Sequence, residues 1–316
     1  MKKFKIVLVG VLFLTAEYCA TAQHTPYHPI SSRVFTPFIM NPAIAGSKDF
    51  MAIDLATSIQ GDDFSQLLST NSRIAKKGPR YFGAPVGKSF TSIGVGGTLF
   101  NDHYGPSRNI GISAAAAYHI PLNEKNISFI SAGLAVKGIY NIMDSIADAG
   151  VPGKESIIPN VDAGIYLYSQ NLYAGVSATN LLGSMIDSTD MALYNIPISR
   201  QYFFLAGYKI VLSKSQNIIL EPSLIINLDD SLKLARKESY NPMLKLYMDA
   251  FCLGAYMHNY DNLTFFFQYK FPKLYIGTLI DFPRNVSFYK RPLTVEIVAG
   301  INFGGVTKTS GSRYQW

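Results

Sequence analysis

Apolar and polar side chains alternate with a period of two in many segments after about residue 50. Between residues 125 and 140, Ile130, Leu134 and Val136 occupy even positions, whereas Lys137 falls in the odd set. The same pattern recurs at 201–212, 217–228, 263–271 and 294–303 and, less regularly, at 90–101, 108–120, 160–168, 171–179 and 273–282. A period of two indicates β-strands with one apolar and one polar face.

The connections between these strands tend to alternate in length. The short ones are 121–124, 169–170, 213–215 and 271–273, and the longer ones are 102–107, 140–159, 180–199, 229–241 and 282–291. Two connections break the alternation: 75–88 is a long turn on the short side, and 260–262 is a short loop on the long side. Outer-membrane barrels have short periplasmic turns and long external loops. Residues 242–260 contain no turn signal, and as one strand they would make the strand count odd. We interpret them as a hairpin, which predicts about fourteen strands with both termini in the periplasm.

The composition favours a membrane protein without membrane helices. Charged residues make up 16% of the chain, against about 25% in typical soluble proteins. After residue 22, no apolar run approaches the roughly 20 residues that a membrane-spanning helix needs. A closed β-barrel is the other structure that satisfies every backbone group in lipid. The sequence therefore predicts an all-β, transmembrane antiparallel β-barrel over residues 50–316, located in an outer membrane.

Residues 1–22 resemble a cleaved Sec signal peptide. Three lysines precede the apolar run 6–16, and Ala20-Thr21-Ala22 forms a cleavage site. A lipoprotein signal is the alternative, because Cys19 follows the apolar run. It is disfavoured by Tyr18, which stands where a small residue is required. After cleavage, Cys252 is the only cysteine, so the mature chain has no internal disulfide.

Residues 23–49 lie between the signal and the first strand, and their composition is not that of a flexible linker. Pro42 disfavours helix at Asn41, Gly46 permits the positive φ of a chain reversal, and nearby phenylalanines require burial. We predict either a plug in the periplasmic mouth of the barrel or a docking strip for a periplasmic partner. The candidate residues are Tyr27, His28, Pro29, Asn41, Pro42, Ala43, Gly46 and Ser47.

Charged residues on the predicted strands fall on the polar face, which we assign to the lumen. A charge facing lipid near the membrane centre would cost about 2–4 kcal/mol. Four lysines oppose five carboxylates, a balance that favours pairing within the lumen or with a plug over an ion-selective pore. The predicted lumen-facing charges are Lys137, Asp162, Lys209, Glu221, Lys245, Asp249, Lys270, Asp281 and Glu296.

No catalytic, cofactor-binding or metal site is predicted. The five histidines have no partner at ligand spacing on one element. Ser113 and His119, the pair that a lipid hydrolase would use, lie six residues apart on one strand, too far for a hydrogen bond. The glycines at 94–97 precede no helix, which disfavours a phosphate loop. The basic clusters 73–80 and 231–237 lack interleaved aromatic residues, so we predict solvated or headgroup-contacting loops and no nucleic-acid partner.

Several stretches resemble the PorP/SprF family, in the order expected for that family. They are Tyr27-His28-Pro29, MNPAIAGS at 40–47, GVGGTLFNDHYGP at 94–106, PNVDAGIYLYSQNLYAGVSATNLL at 159–182, FFLAGYKI at 203–210, LEPSLIIN at 220–227 and VEIVAGINF at 295–303. The chain departs from the family at 56–66, where a Gln-Trp pair usually stands.

The resemblance implies a non-enzymatic component of the type IX secretion system of Bacteroidetes. Such barrels support the secretion or surface attachment of large proteins with a type IX targeting domain, including motility adhesins in gliding species. The partners it implies are such a secreted protein, other periplasmic or outer-membrane secretion components, and outer-membrane lipid. A transporter barrel for small hydrophobic molecules is the alternative function, and it would also have an N-terminal plug.

Overall fold

The structure is a computed structural model that describes residues 29–48, 50–75, 90–105, 107–123, 128–145, 153–183, 200–229, 232, 237–258, 262–283 and 293–303. The predicted signal peptide, Tyr27 and His28 lie outside the described residues. So does most of the predicted long turn at 75–88.

Almost all regular structure is β-strand. The strands are β1 (Met51–Gln60), β2 (Asp63–Ala75), β3 (Phe90–Tyr104), β4 (Ser107–Asn123), β5 (Ser128–Met143), β6 (Lys154–Tyr168), β7 (Leu172–Thr179), β8 (Gln201–Tyr208), β9 (Ile210–Ser213), β10 (Ile218–Leu228), β11 (Tyr240–Met248), β12 (Phe251–His258), β13 (Asn262–Lys270), β14 (Leu274–Pro283) and β15 (Thr294–Phe303). Among the described residues, no helix has the length and hydropathy needed to cross a membrane.

The strands form one closed antiparallel barrel. Successive strands pair with each other, and β1 also pairs with β15, which closes the ring. Only Lys209 separates β8 from β9, and both pair with β10, so they are two parts of one strand. The barrel therefore has fourteen strands, which confirms the predicted fold class.

The predicted hairpin within 242–260 is also confirmed. β11 ends at Met248 and β12 begins at Phe251, and the two strands pair in antiparallel register. Asp249 lies in the intervening turn with φ of 52° and is exposed. Its prediction as a lumen-facing strand residue is wrong, because the strand periodicity stops at this turn.

The connections define two ends of the barrel. We call the end with the turns 169–171, 214–217, 249–250 and 271–273 the short-turn end; the chain enters β1 there. The opposite end carries longer connections, such as those from β5 to β6 and from β7 to β8. The predicted long loop at 102–107 is an exception, because only two residues separate β3 from β4.

The outer face of the barrel is apolar, as the alternation predicted. Leu134 and Ile297 are 61% and 60% exposed on this face. The inner face is more apolar than predicted, because it also carries buried side chains such as Leu67, Phe266 and Leu279. These side chains belong to a hydrophobic core that includes Val34, Phe38, Met40, Ala43 and Ile44.

Residues 29–48, called here the N-terminal segment, lie across the lumen. The segment consists of α1 (Ile30–Phe35) and two 3₁₀ turns, Pro37–Ile39 and Pro42–Ile44. α1 contacts β1 and β15, whereas the second 3₁₀ turn contacts β4, β5 and β6. The segment thus reaches from one wall of the barrel to the other, and its apolar side chains cover the apolar part of the inner face.

Candidate functional site

Asn41 fixes the second 3₁₀ turn of the N-terminal segment against the wall. Its Oδ1 accepts a hydrogen bond from the backbone N–H of Ala43 at 3.0 Å, which caps the turn that Pro42 begins. Its Nδ2 donates to the carbonyl oxygens of Ile165 and Val176 at 3.1 and 3.3 Å. Those two residues are directly paired between β6 and β7, so one side chain ties the turn to both strands.

Wall side chains bind the carbonyl oxygens of the segment on either side of this turn. Ser131 Oγ donates to Ala43 at 2.7 Å, and Ser177 Oγ donates to Met40 at 2.8 Å. His119 Nε2 lies 2.9 Å from the carbonyl oxygen of Ala45. Arg73 Nε donates to Gly46 at 2.9 Å. These contacts satisfy backbone groups that a short irregular segment would otherwise bury unpaired.

The wall under the turn is formed by Gly94, Gly133, Gly164 and Gly175, which we call the glycine surface. A Cβ added to Gly94 would lie 2.0 Å from the carbonyl oxygen of Ala45, and one on Gly133 would lie 2.5 Å from the amide nitrogen of Ala43. At Gly164 it would lie 2.1 Å from the side-chain oxygen of Asn41. Only glycine permits this approach of backbone to wall.

The other end of the segment is held by two charged side chains. The carboxylate of Glu296 accepts hydrogen bonds from the backbone N–H groups of Ile30 and Ser31, both at 2.7 Å. These groups begin α1 and have no partner within the helix. Lys245 Nζ donates to the carbonyl oxygen of Val34 at 2.9 Å. A carboxylate and an ammonium therefore complement the two ends of the short helix.

The other predicted lumen-facing charges mostly contact each other or the wall. Lys137 forms an ion pair with Asp162 at 2.8 Å, and Asp281 accepts hydrogen bonds from Asn262 and Thr264, both at 2.7 Å.

Glu221 is shared between two lysines. Its carboxylate lies 3.6 Å from Lys245 and 4.0 Å from Lys209. It also accepts hydrogen bonds from Tyr173 and Tyr247 at 2.8 and 3.2 Å. This carboxylate is therefore fully engaged within the wall.

Three residues that hold the interior together make contacts that were not predicted from the sequence, although His119 was expected to line the lumen. Arg73 belongs to a cluster interpreted as a solvated or headgroup-contacting loop, yet it is 5% exposed. It also hydrogen-bonds Tyr168 and lies 5.0 Å from the ring centre of Phe129. His119 is 1% exposed, and Asp54 accepts a hydrogen bond from Tyr275 at 2.6 Å. Their partners are distant in sequence, so no local pattern identifies them.

Ser113 and His119 serve separate contacts. Ser113 Oγ lies 2.6 Å from Thr98 Oγ1. His119 lies between the carbonyl oxygen of Ala45 and the hydroxyl of Tyr168, with one ring nitrogen 2.9 Å from each. His119 therefore positions the N-terminal segment. Among the described residues, no group of three His, Cys, Asp or Glu side chains is arranged to hold a metal ion.

A cavity of about 560 Å³ lies between the N-terminal segment and the short-turn end. Residues 169–171 and Lys214, which belong to the short turns, line its mouth. Aromatic side chains from the wall and the segment form much of its surface: Phe35, Phe50, Phe129, Tyr166, Tyr168, Tyr173, Tyr247 and Tyr275.

The charges that line this cavity are predominantly positive. The cations are Arg33, Lys48, Arg73, Lys209, Lys214, Lys245 and Lys270, and the carboxylates are Asp54 and Glu221. Among the described residues that line the cavity, seven cations against two carboxylates leave a formal excess of five positive charges. Burial lowers the pKa of Lys48; the carboxylate of Asp54 opposes this shift, and Lys209 and Lys245 add to it. The balance predicted for the lumen as a whole does not hold in this cavity.

Comparisons with known proteins point to one family. The model of the family described as type IX secretion system membrane protein PorP/SprF matches residues 25–301. No curated protein matches the chain.

Solved structures with a similar fold include several outer-membrane proteins. Omp33 of Acinetobacter baumannii is 11% identical, with 82% of this chain and 100% of that chain covered and a TM-score of 0.45. A KdgM porin is 9% identical, with 80% and 99% covered and a TM-score of 0.39. BamA of Haemophilus ducreyi lacking POTRA domains 1–3 is 8% identical, with 81% and 71% covered and a TM-score of 0.37.

Proposed function

The chain belongs to the PorP/SprF family of type IX secretion system membrane proteins, and we propose that it supports the secretion and surface attachment of large type IX substrates without catalysing a reaction. It is an outer-membrane β-barrel component of that system. We propose that these substrates are surface proteins such as motility adhesins. We place the short-turn end in the periplasm, as in other outer-membrane barrels.

The filled lumen is the observation that carries this proposal. The N-terminal segment reaches from β1 and β15 to β4, β5 and β6, and both of its ends are hydrogen-bonded to the wall. A substrate chain that crossed the membrane through this lumen would have to displace the segment. The arrangement favours a barrel that holds partners at its ends over one that conducts them.

A transporter of small hydrophobic molecules fits the interior less well. Such a ligand would have to enter a cavity with a formal excess of five positive charges. An uncharged apolar ligand makes no favourable contact with these charged groups. It would also displace the water that solvates the charged groups, which is unfavourable.

The function is tested by affinity purification and by a secretion assay. The tagged barrel, purified from its own bacterium, should bring down other secretion components or a large secreted protein, identified by mass spectrometry. Deletion of the gene should abolish surface display of that protein while other outer-membrane barrels assemble normally. Normal display in the deletion strain would contradict the proposal.

We further propose that the N-terminal segment is a plug rather than a docking strip. Deletion of residues 27–47 should give a barrel that still migrates faster unboiled than boiled on SDS gels but conducts ions much more readily in planar bilayers. Replacement of residues 30–47 by a Gly-Ser linker of equal length provides the matched control, and it should conduct as the deletion does. Unchanged conductance with loss of partner binding would identify a docking strip instead.

A further inference from the structure

We propose that the cationic cavity at the short-turn end binds an acidic peptide segment of a secretion partner. This inference rests on the proposed function for the existence of a protein partner. The chemistry of the partner segment, however, follows from the cavity.

Among the described residues, the positive charge that lines the cavity exceeds what the lining carboxylates neutralise. Glu221 already forms ion pairs with Lys209 and Lys245, and Asp54 accepts a hydrogen bond from Tyr275. A pocket with an excess of one sign of charge and low-dielectric walls focuses its field and attracts ligands of the opposite charge. Carboxylates of a ligand would therefore gain from entering this space.

The cations lie on different sides of the ring. Arg73 belongs to β2, Lys209 joins β8 to β9, and Lys270 ends β13. Three strands, β14, β15 and β1, separate β2 from β13, and β8 lies on the far side of both. One phosphate or sulfate could not contact all three positions. A peptide with several spaced carboxylates can, and this favours a peptide over a small anion.

The aromatic lining provides the apolar part of the site. Tyr168, Tyr173 and Tyr275 line the cavity together with Phe50 and Phe129. Aromatic rings offer large apolar areas against which apolar side chains of a ligand can pack. The volume of about 560 Å³ falls within the range of 300–1,000 Å³ typical of ligand pockets. A short segment that combines acidic and apolar side chains matches these features.

Within the described residues, the mouth of the cavity is open at the short-turn end. Gln170, Asn171 and Lys214 lie on turns, line the cavity and are exposed. A segment of a second protein can therefore enter without opening the barrel. Binding there leaves the N-terminal segment in its place, because the segment forms the inner wall of the cavity.

The test uses the full mature chain in detergent and a fluorescein-labelled peptide of alternating Glu and Phe, followed by fluorescence anisotropy. A peptide of alternating Gln and Phe is the matched control. The Glu peptide should bind at least tenfold more tightly than the Gln peptide. Its binding should weaken between low and high salt, because salt screens charges at an open mouth.

Two charge-removing substitutions locate the site. Lys270→Gln and Lys214→Gln should each weaken binding of the Glu peptide, by about tenfold for Lys270, whose partial burial strengthens its contacts. Lys237→Gln removes the same charge from a 3₁₀ turn at the opposite end of the barrel and should leave binding unchanged. Lys214 lies on an exposed turn, so its variant carries the test if Lys270→Gln fails to assemble.

Several results would overturn the inference. They are equal binding of the Glu and Gln peptides, equal loss in the Lys237 and Lys214 variants, and no binding at all. Displacement of the Glu peptide by millimolar inorganic phosphate would indicate a small-anion site, and displacement by phosphatidylglycerol micelles a lipid-headgroup site; either result excludes the peptide. If purified barrels still bring down secretion components, the proposed function stands and only the cavity assignment fails.

Discussion

The N-terminal segment packs against the lumen wall differently on the two sides of the barrel. On β3 to β7 the wall has no side chains at Gly94, Gly133, Gly164 and Gly175, so the backbone of the segment packs directly on the backbone of the wall. On β8 to β13 long side chains such as Lys209, Lys245 and Tyr247 project inward and leave a cavity beside the segment. On the first side, the absence of side chains lets the segment pack rigidly against the wall. On the second side, long side chains span the distance between wall and segment and leave a cavity.

The strongest test of this contrast is Gly133→Val. The new Cβ would lie 2.5 Å from the amide nitrogen of Ala43, so the segment must move away, at a cost of about 1–3 kcal/mol. Thermal stability in detergent should fall, and conductance in planar bilayers should rise. Gly138→Val on the same strand is the control, because nothing lies within 4 Å of its added Cβ. Equal effects of both substitutions would show that the glycine surface is not a contact of the segment.

An effect no larger than that of Gly133→Val is expected from Glu296→Gln, at the end of the segment far from the glycine surface. Replacing the carboxylate by an amide removes its charge and one of its two acceptor oxygens, and weakens the hold on Ile30 and Ser31 by about 1–3 kcal/mol. Amide hydrogen exchange at these two residues should accelerate. Asp281→Asn changes a buried carboxylate whose described hydrogen bonds are made by Asn262 and Thr264. It should leave exchange at α1 unchanged, and faster exchange there would argue against a local role for Glu296.

Removal of the His119 ring should have a lesser effect again. His119→Ala loses the contact with the carbonyl oxygen of Ala45 and the contact with Tyr168, which together stabilise the segment by about 1–2 kcal/mol. Limited proteolysis should cleave the segment sooner, while surface display of the secreted partner persists. Ser113→Ala should change neither measurement. Loss of display in a normally assembled double variant would revive the lipid hydrolase interpretation.

The smallest effect should come from enlarging a side chain on the cavity side. Val211 lines the cavity, so Val211→Phe has space available and should change stability by less than about 0.5 kcal/mol. Conductance should stay at the wild-type level. A rise in conductance like that expected for Gly133→Val would show that both sides of the wall pack equally tightly against the segment.

The barrel could be predicted from the sequence because its signals are local. Alternation placed Leu134 and Phe267 outside and Lys137 inside from a few neighbouring residues, and strand count followed from turn spacing. The hairpin at Asp249 was found only by requiring an even number of strands. Its turn contains neither glycine nor proline, and Asp249 adopts a positive φ of 52°.

The site could not be predicted to the same degree because its contacts join distant parts of the chain. Gly133 and Ala43 are far apart in sequence, and a glycine in a strand gives no sign of what approaches it. The same applies to Arg73, whose neighbours suggest a surface loop although its guanidinium binds Gly46. The polarity of the inner face was misjudged for a related reason. An apolar residue such as Leu67 is compatible with the lumen only because the segment covers it.

The hydrogen bonds between α1 and Glu296 also bear on the order in which the molecule is assembled. Ile30 and Glu296 are 266 residues apart, and Glu296 belongs to β15, the last of the described strands. Contacts of such separation carry a large loop-closure cost and form late. The start of α1 therefore acquires its carboxylate partner only after β15 has been exported and has paired with β1. A chain that ended before β15 would leave these two N–H groups without this carboxylate, so the state of α1 reports whether the barrel has closed.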